Sequence, residues 1–344
     1  MRSLMRGCGG GGLGGTFERR FLKLLPVRRA VDDSTPIIAL YIGTPWPSTM
    51  PLMASVRRAV ILAAGLGTRM LPATKSVPKE MLPVVDRPII QYAVEEAVAA
   101  GVEEIVMVLA PDRVAIREHF GGGSRIEMIA RERGDTALAE RVLAPEQLAT
   151  FTFVEQREPL GTGHAVQQAQ PYLAGEPFAL LFPDDIILGA TPCTAQLAAA
   201  YEGCGAATVI AVQQVTPEQI PQYGIVDPDG PGNPARLRGI VEKPAASAAP
   251  SDLGVVGRYV LGPSIFDQLE TLEPGAGGEL QLTDAIAGQI AAGELVCACR
   301  FDGRRYDAGR PAGAIAAAVA AAIDREEIRP DLLAHLSALM RTEK

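Results

Sequence analysis

The sequence predicts an α/β domain built on a mixed, mainly parallel sheet with helices on both faces. Three observations predict it. Short continuous apolar runs such as Val60–Ala64, Ile105–Leu109 and Phe178–Phe182 have the length and unbroken hydrophobicity of strands buried on both faces. Segments of helical period stand between them, as right-handed crossovers require. Several of the runs stop at glycines or carboxylates, and ligands in such sheets bind outside the carboxyl ends of strands.

The elements follow in order. Residues 1–53 carry the glycine tract Gly9–Gly12, scattered prolines and no sustained period, so they read as a disordered leader or an upstream-start artefact. Met53 stands directly before the first apolar run, which leaves 54–344 as the expected folded domain with its C-terminal helices. Val60–Ala64 is a strand, Ile89–Ala100 an amphipathic helix stopped by Gly101, and Ile105–Leu109 a strand. Asp112 is a candidate cap for a helix to about Phe120. Phe151–Val154 is a strand, Gly163–Gln170 a helix, and Phe178–Phe182 a strand ending in Pro183-Asp184-Asp185. The second half is strand-dense: Ala206–Val212, Ile225–Asp227, Leu237–Val241, Val255–Leu261 and Leu295–Phe301. Its expected helices are Ser264–Leu272, Thr283–Ala292, Pro311–Ile323 and Asp331–Met340.

Composition narrows the function. Hydrophobic residues make up 48% of the 344, enough for a substantial core, and the net charge of −8 argues against nucleic-acid or anionic-membrane partners. Cations that bind phosphate must then be local features. The five cysteines lack a disulfide framework spacing, which points to reduced thiols in a cytoplasmic protein. Cys297 and Cys299 fall on one face of a strand and read as core packing. Arg19-Arg20 is not followed by the apolar stretch an export signal needs, since Arg28, Arg29, Asp32 and Asp33 come next.

The first strand delivers the most informative segment, Val60-Ile-Leu-Ala-Ala-Gly-Leu-Gly-Thr-Arg69. A buried strand that stops at Gly65 and Gly67 can bring backbone amides close to phosphate oxygens, and Arg69 with Lys79 adds positive charge. Two other phosphate loops are excluded. A dinucleotide fold needs a third glycine where Met70 stands, and no Gly-Lys-Ser/Thr triplet of a P-loop occurs.

The run Ala63-Ala-Gly-Leu-Gly-Thr-Arg-Met-Leu-Pro-Ala-Thr-Lys-Ser-Val-Pro-Lys-Glu-Met-Leu-Pro83 resembles the opening motif of the sugar-phosphate nucleotidylyltransferases, most closely the bacterial UTP–glucose-1-phosphate uridylyltransferases. Leu160-Gly-Thr-Gly-His-Ala165, Phe182-Pro-Asp-Asp185, Tyr223-Gly-Ile-Val-Asp227, Gly239-Ile-Val-Glu-Lys-Pro244, Val256-Gly-Arg-Tyr-Val-Leu261, the 275–284 segment and Tyr306-Asp-Ala-Gly309 match the same family in order. The resemblance runs from about Ser55 to near the C-terminus. It implies a Rossmann-like nucleotidyltransferase fold of GT-A type. It also implies magnesium-dependent transfer of UMP from UTP to glucose 1-phosphate, and a homodimer or homotetramer.

The resemblance also implies roles for residues. Arg69 sits over the triphosphate and assists the leaving pyrophosphate, Lys79 contacts phosphates near the reacting centre, and Lys243 holds the sugar phosphate. Ala64, Gly65, Gly67 and Thr68 form the nucleotide loop, while Glu80, Gln156 and Gly161 lie near the pyrimidine. Gly224 and Glu242 contact the sugar. Asp184 and Asp307 are the magnesium ligands, with Asp185 competing for the place of Asp184. Chemistry fits these residue types: the attacking sugar phosphate is already anionic, since its second pKa is about 6, so the site needs cations and a hard ion rather than a general base. His164 reads as structural. Glu242 and Lys243 are strand neighbours that point to opposite faces unless the chain bends, and Pro244 offers a bend. A different nucleotide or sugar, and an inactive regulatory subunit on the same fold, stay open as alternatives.

Overall fold

The structure is a computed structural model that describes residues 56–275 and 278–342. The expected leader lies outside the described residues. In chain order the first half contains β1 (Arg58–Ala63), β2 (Pro83–Val84), β3 (Arg87–Pro88), α1 (Ile89–Ala99), β4 (Glu104–Leu109), α2 (Val114–Gly121), α3 (Arg125–Arg133) and α4 (Thr136–Leu143). It continues with β5 (Thr150–Glu155), α5 (Thr162–Ala169), β6 (Phe178–Leu181), β7 (Asp185–Leu188) and α6 (Cys193–Cys204). The second half adds β8 (Thr208–Gln214), β9 (Gly224–Pro228), β10 (Ala235–Glu242), β11 (Leu253–Leu261), α7 (Ile265–Glu270) and α8 (Leu282–Ala291). It closes with β12 (Val296–Arg300), β13 (Arg304–Asp307), α9 (Pro311–Ile323) and α10 (Arg329–Thr342).

Nine strands form one sheet in the order β5-β4-β1-β6-β11-β8-β12-β10-β9. The mixed character is specific. Strands β5, β4, β1 and β6 pair in parallel, β8 pairs in parallel with β12, and reversals occur only at β11 and β10. The parallel half is where helices separate the strands, because a parallel partner can be reached only by a crossover. Alternation of side chains along a strand splits the core in two. In β1, Ala59, Ile61 and Ala63 join residues of α1, α2 and α6 on one face. Val60 instead faces Val166 of α5, Leu269 of α7 and Ile286 of α8 on the other. A smaller cluster packs Ala317 and Ala321 of α9 against Val84 and Ile186, which anchors the β7–β13 ribbon beside the main sheet.

Most expected elements form within a residue or two, and α9 has the bounds its pattern suggested. Asp112 does not cap α2. Its carboxylate pairs with Arg113 Nη1 at 2.6 Å, and the helix starts after Arg113 without a side-chain cap. Cys297 and Cys299 are both buried in the core on one face of β12. Among the described residues no helix is long and apolar enough to cross a membrane.

Candidate active site

The sheet places β1 and β6 side by side, so the loops that leave their carboxyl ends meet. After β1 the chain turns at Gly67, whose φ of +65° is the left-handed region that side chains avoid. A Cβ there would also stand 3.2 Å from Lys79 Cβ, so the lysine stem packs directly on the turn. Two further contacts hold the loop: Thr74 Oγ1 donates to Gly67 O at 2.8 Å, and the buried Arg113 Nη2 donates to Gly65 O at 2.7 Å.

Lys79 points across to the end of β6, where its Nζ lies 2.6 Å from Asp184 Oδ2 and 3.9 Å from Glu80 Oε1. Burial works against the charge on Lys79, but Asp184 and Glu80 outweigh it and raise its pKa. Burial alone would raise Asp184 as well. The adjoining Lys79 ammonium more than offsets that and holds the carboxyl below its ordinary value. Glu80 is different: it is 1% exposed, neither carboxylate oxygen has a hydrogen-bond partner, and burial raises its pKa to about 7.

Asp185, the competitor of Asp184, is committed elsewhere. It accepts from Gly257 N at 2.8 Å through Oδ2 and from Arg305 Nε at 2.7 Å through Oδ1. Whereas Asp185 lines one of the three adjoining cavities, Asp184 lines all of them. Opposite it, Asp307 ends β13, which pairs with β7 in a register that sets Asp307 against Asp185. Gly309 lies between the two candidate ligands, where a Cβ would meet Asp184 Oδ2 at 2.7 Å and Asp307 Oδ1 at 3.1 Å. Among the described residues no group of three or more His, Cys, Asp or Glu could hold a metal. A pair of carboxylates beside a phosphate loop suits a hard divalent ion that keeps waters and substrate phosphates as its remaining ligands. The residues fit the ion, provided Lys79 releases Asp184 Oδ2.

Three adjoining cavities meet at Asp184. One of about 420 Å³ is lined by Ala64, Gly65, Gly67, Thr68, Lys79, Glu80, Gln156 and Gly161. A second, of about 240 Å³, is lined by Arg69, Gly224, Glu242, Lys243 and Asp307. Between them a third of about 260 Å³ runs along the loop past Arg69, Lys79 and Gly309. The residues expected around the nucleotide thus gather in one chamber and those expected around the sugar in another. Each chamber opens onto the same carboxylate.

In the second chamber Glu242 and Lys243 do turn to the same side. The bend lies at Lys243 itself, which takes a φ of +43°, strained for a residue with a Cβ. Lys243 Nζ lies 2.9 Å from Glu242 Oε1, while Thr283 Oγ1 donates to Glu242 Oε2 at 2.8 Å.

Sequence reasoning missed the arginines that hold the two chambers together. Arg258, 1% exposed in β11, donates to Phe182 O at 2.9 Å and Asp185 O at 2.7 Å, the carbonyls on either side of Pro183-Asp184. Glu96 of α1 pairs with it at 2.8 Å and in turn accepts from Thr194 N and Oγ1 at the start of α6. Arg305 donates to Asp185 and to Tyr223 OH at 2.8 Å, with its guanidinium 5.2 Å over the Tyr223 ring. A charged residue inside the apolar run Val255–Leu261 was the one visible signal for Arg258.

The sequence pattern of the nucleotidyl transferase family matches residues 58–322, the segment that carries both chambers. The chain belongs to the nucleotidyl transferase family. It is 44% identical over 293 residues to a UTP–glucose-1-phosphate uridylyltransferase of Bacillus subtilis, covering 85% of this chain and all of the relative. A UTP-bound UGPase from Acinetobacter baumannii superposes with a TM-score of 0.74 at 36% identity, covering 82% of this chain and 98% of that one. A UDP-glucose pyrophosphorylase complexed with UDP-glucose gives 0.68 at 33% identity, over 77% and 98%. This nucleotidyl transferase therefore shares nearly the full length of enzymes named for uridylyl transfer.

Proposed function

We propose that the protein transfers UMP from UTP to glucose 1-phosphate, with magnesium, to give UDP-glucose and pyrophosphate. The observation that carries this reading is the meeting of the two cation-lined chambers at Asp184. The similarity to the uridylyltransferases supports it over the other members of the fold. The fold then corresponds to the Rossmann-like, GT-A-type nucleotidyltransferase architecture, and the functional unit to a cytoplasmic homodimer or homotetramer.

An oxygen of the sugar phosphate forms the new bond to the α-phosphorus of UTP, and the bond from that phosphorus to the α,β-bridging oxygen breaks. No proton need move, because the nucleophile enters as a dianion. The work left to the protein is to bring two anions together in line. Lys243 neutralises the attacking phosphate, Lys79 the α-phosphate, and Arg69 the departing pyrophosphate. Arginine suits the bidentate grip on a leaving group and lysine the point charge at a crowded centre. Glu242 accepts from sugar hydroxyls over the close backbone of Gly224, while Glu80, Gln156 and Gly161 surround the base. Asp184 and Asp307 would hold magnesium, which supplies further charge neutralisation to the phosphates when bound.

Pyrophosphate release measured with a panel of nucleoside triphosphates and sugar 1-phosphates tests the assignment. UTP with glucose 1-phosphate should be the preferred pair by at least about tenfold in kcat/KM, the value of a single hydrogen bond. Preference for another pair would move the protein to another branch of its family. No release with any pair would make it a binding subunit.

A further inference from the structure

His164 lies in the first turn of α5, beside the base chamber, in a contact that constrains its chemistry. Gln156 follows β5 and is buried, with its backbone N–H bonded to Leu109 O at 2.8 Å. Its Nε2 is 3.1 Å from Gly161 O and 3.0 Å from His164 Nδ1. A carbonyl oxygen only accepts, so Gly161 fixes which end of the Gln156 amide is the NH₂. The second hydrogen of that NH₂ then needs a lone pair on His164 Nδ1, which places the ring proton on Nε2.

The other ring nitrogen completes the argument. Gln168, one turn along α5, lies with its side-chain nitrogen Nε2 3.1 Å from His164 Nε2. A neutral imidazole accepts at one nitrogen only. Both glutamines cannot donate to it, and Gln156 is already held by Gly161. Gln168 must therefore present its oxygen to the Nε2–H, and the 3.5 Å contact from its nitrogen to His164 O is too long to prevent this. The relay runs from Gln168 through His164 to Gln156. It leaves the oxygen of Gln156 as the atom offered to the chamber, and no donor from the described residues occupies it.

We propose that His164 is a positioning residue for base selection. By accepting the second N–H of the Gln156 amide beside Gly161 O, it reinforces the orientation in which the chamber accepts a pyrimidine that carries a hydrogen at N3 and rejects one that carries a lone pair there. Uracil meets an acceptor oxygen through N3–H. Cytosine would place its N3 lone pair against that oxygen, and binding it would require the amide to turn over, which sets two oxygens against each other at Gly161. This inference rests on the reading that Gln156 faces the base.

The test compares kcat/KM for UTP and for CTP, with glucose 1-phosphate, in the wild type and three variants. His164→Phe keeps a ring but removes the acceptor, and should lower the UTP-to-CTP ratio about tenfold, the value of one hydrogen bond. The loss should fall on KM, with kcat for UTP within about twofold of wild type. His164→Asn can return an acceptor near the position of Nδ1 and should restore most of the ratio. Gln168→Leu, outside the chamber, releases the tautomer and should lower the ratio about threefold, which decides the matter if His164→Phe fails to fold. The proposal is overturned by an unchanged ratio in His164→Phe and Gln168→Leu, by equal losses for both nucleotides, or by a failure of His164→Asn to restore selection. A wild-type enzyme that uses CTP as well as UTP would instead refute the reading of the base chamber itself.

Discussion

At the scale of single residues, the proposed mechanism divides the phosphate chemistry between cations placed in different chambers. Lys243 stands beside Glu242 in the sugar chamber, and Arg69 reaches both that chamber and the loop between the two. If the division holds, Lys243→Ala should reduce turnover by about 10²–10³, or 3–4 kcal/mol of lost charge stabilisation. Calorimetric UTP affinity should be nearly unchanged. Arg69→Ala should weaken UTP binding as well as turnover. Equal loss of UTP affinity in both variants would contradict the split. Glu80 carries a pH signature of its own. The folded protein keeps a proton on it up to about pH 7, whereas an unfolded chain releases it near 4.5. Stability should therefore fall as pH rises from about 4.5 to 7, by up to about 3 kcal/mol from this group. Glu80→Gln removes the titrating group, so its Tm in ligand-free melts should exceed that of wild type at pH 8 and approach it near pH 4.5. The same difference at both pH values would mean that the Glu80 pKa does not change on folding.

At the scale of elements, the proposed site includes a turn that the sheet alone does not hold. Pro183-Asp184 sits between two carbonyls bound by Arg258, and the Glu96–Arg258 pair ties that turn to α1 and α6. The loop after β13 approaches the same carboxylate so closely that a Cβ at 309 would stand 2.7 Å from Asp184 Oδ2. Gly309→Ala would push Asp184 and Asp307 apart by several tenths of an ångström. A fall of about 10²-fold in turnover is expected, the order that small misplacements cause in preorganised sites. Circular dichroism should stay close to wild type, since Gly309 lies in the loop between β13 and α9 and not in a helix or strand. Full activity would show that the Asp184–Gly309 contact relaxes without cost. These features also mark the limit of what the sequence reveals. Asp184 stood out because a carboxylate directly after a buried strand has little structural reason to be there, whereas Arg69 and Lys79 stood out through their place in the family-like motif. Arg258 and Arg305 act through partners 162 and 120 residues away, and no local pattern encodes such pairings. The helices α3, α4 and α6 were missed for a related reason. Each buries few apolar side chains, so little core-facing pattern marks it in the sequence.

At the scale of the whole molecule, the sheet's directions follow from its connections, and its parallel half was readable because each of its strands is separated from the next by helical sequence. The two reversed strands were not, since β10 and β11 look like the others until their neighbours are known. The segment before Met53 carries a glycine tract and scattered prolines without a sustained apolar period, and the expectation that it is dispensable concerns residues outside the described ones. A chain that begins at Met53 should match the full-length protein in turnover and Tm, and a loss of either would make the leader part of the folded enzyme. The central claim is that both chambers serve one displacement at the α-phosphorus of UTP. Turnover with UTP radiolabelled at that phosphorus tests it most directly. The label should appear quantitatively in UDP-glucose, with none in pyrophosphate and one pyrophosphate released per sugar nucleotide formed. Label released as free UMP, or found in pyrophosphate, would contradict it.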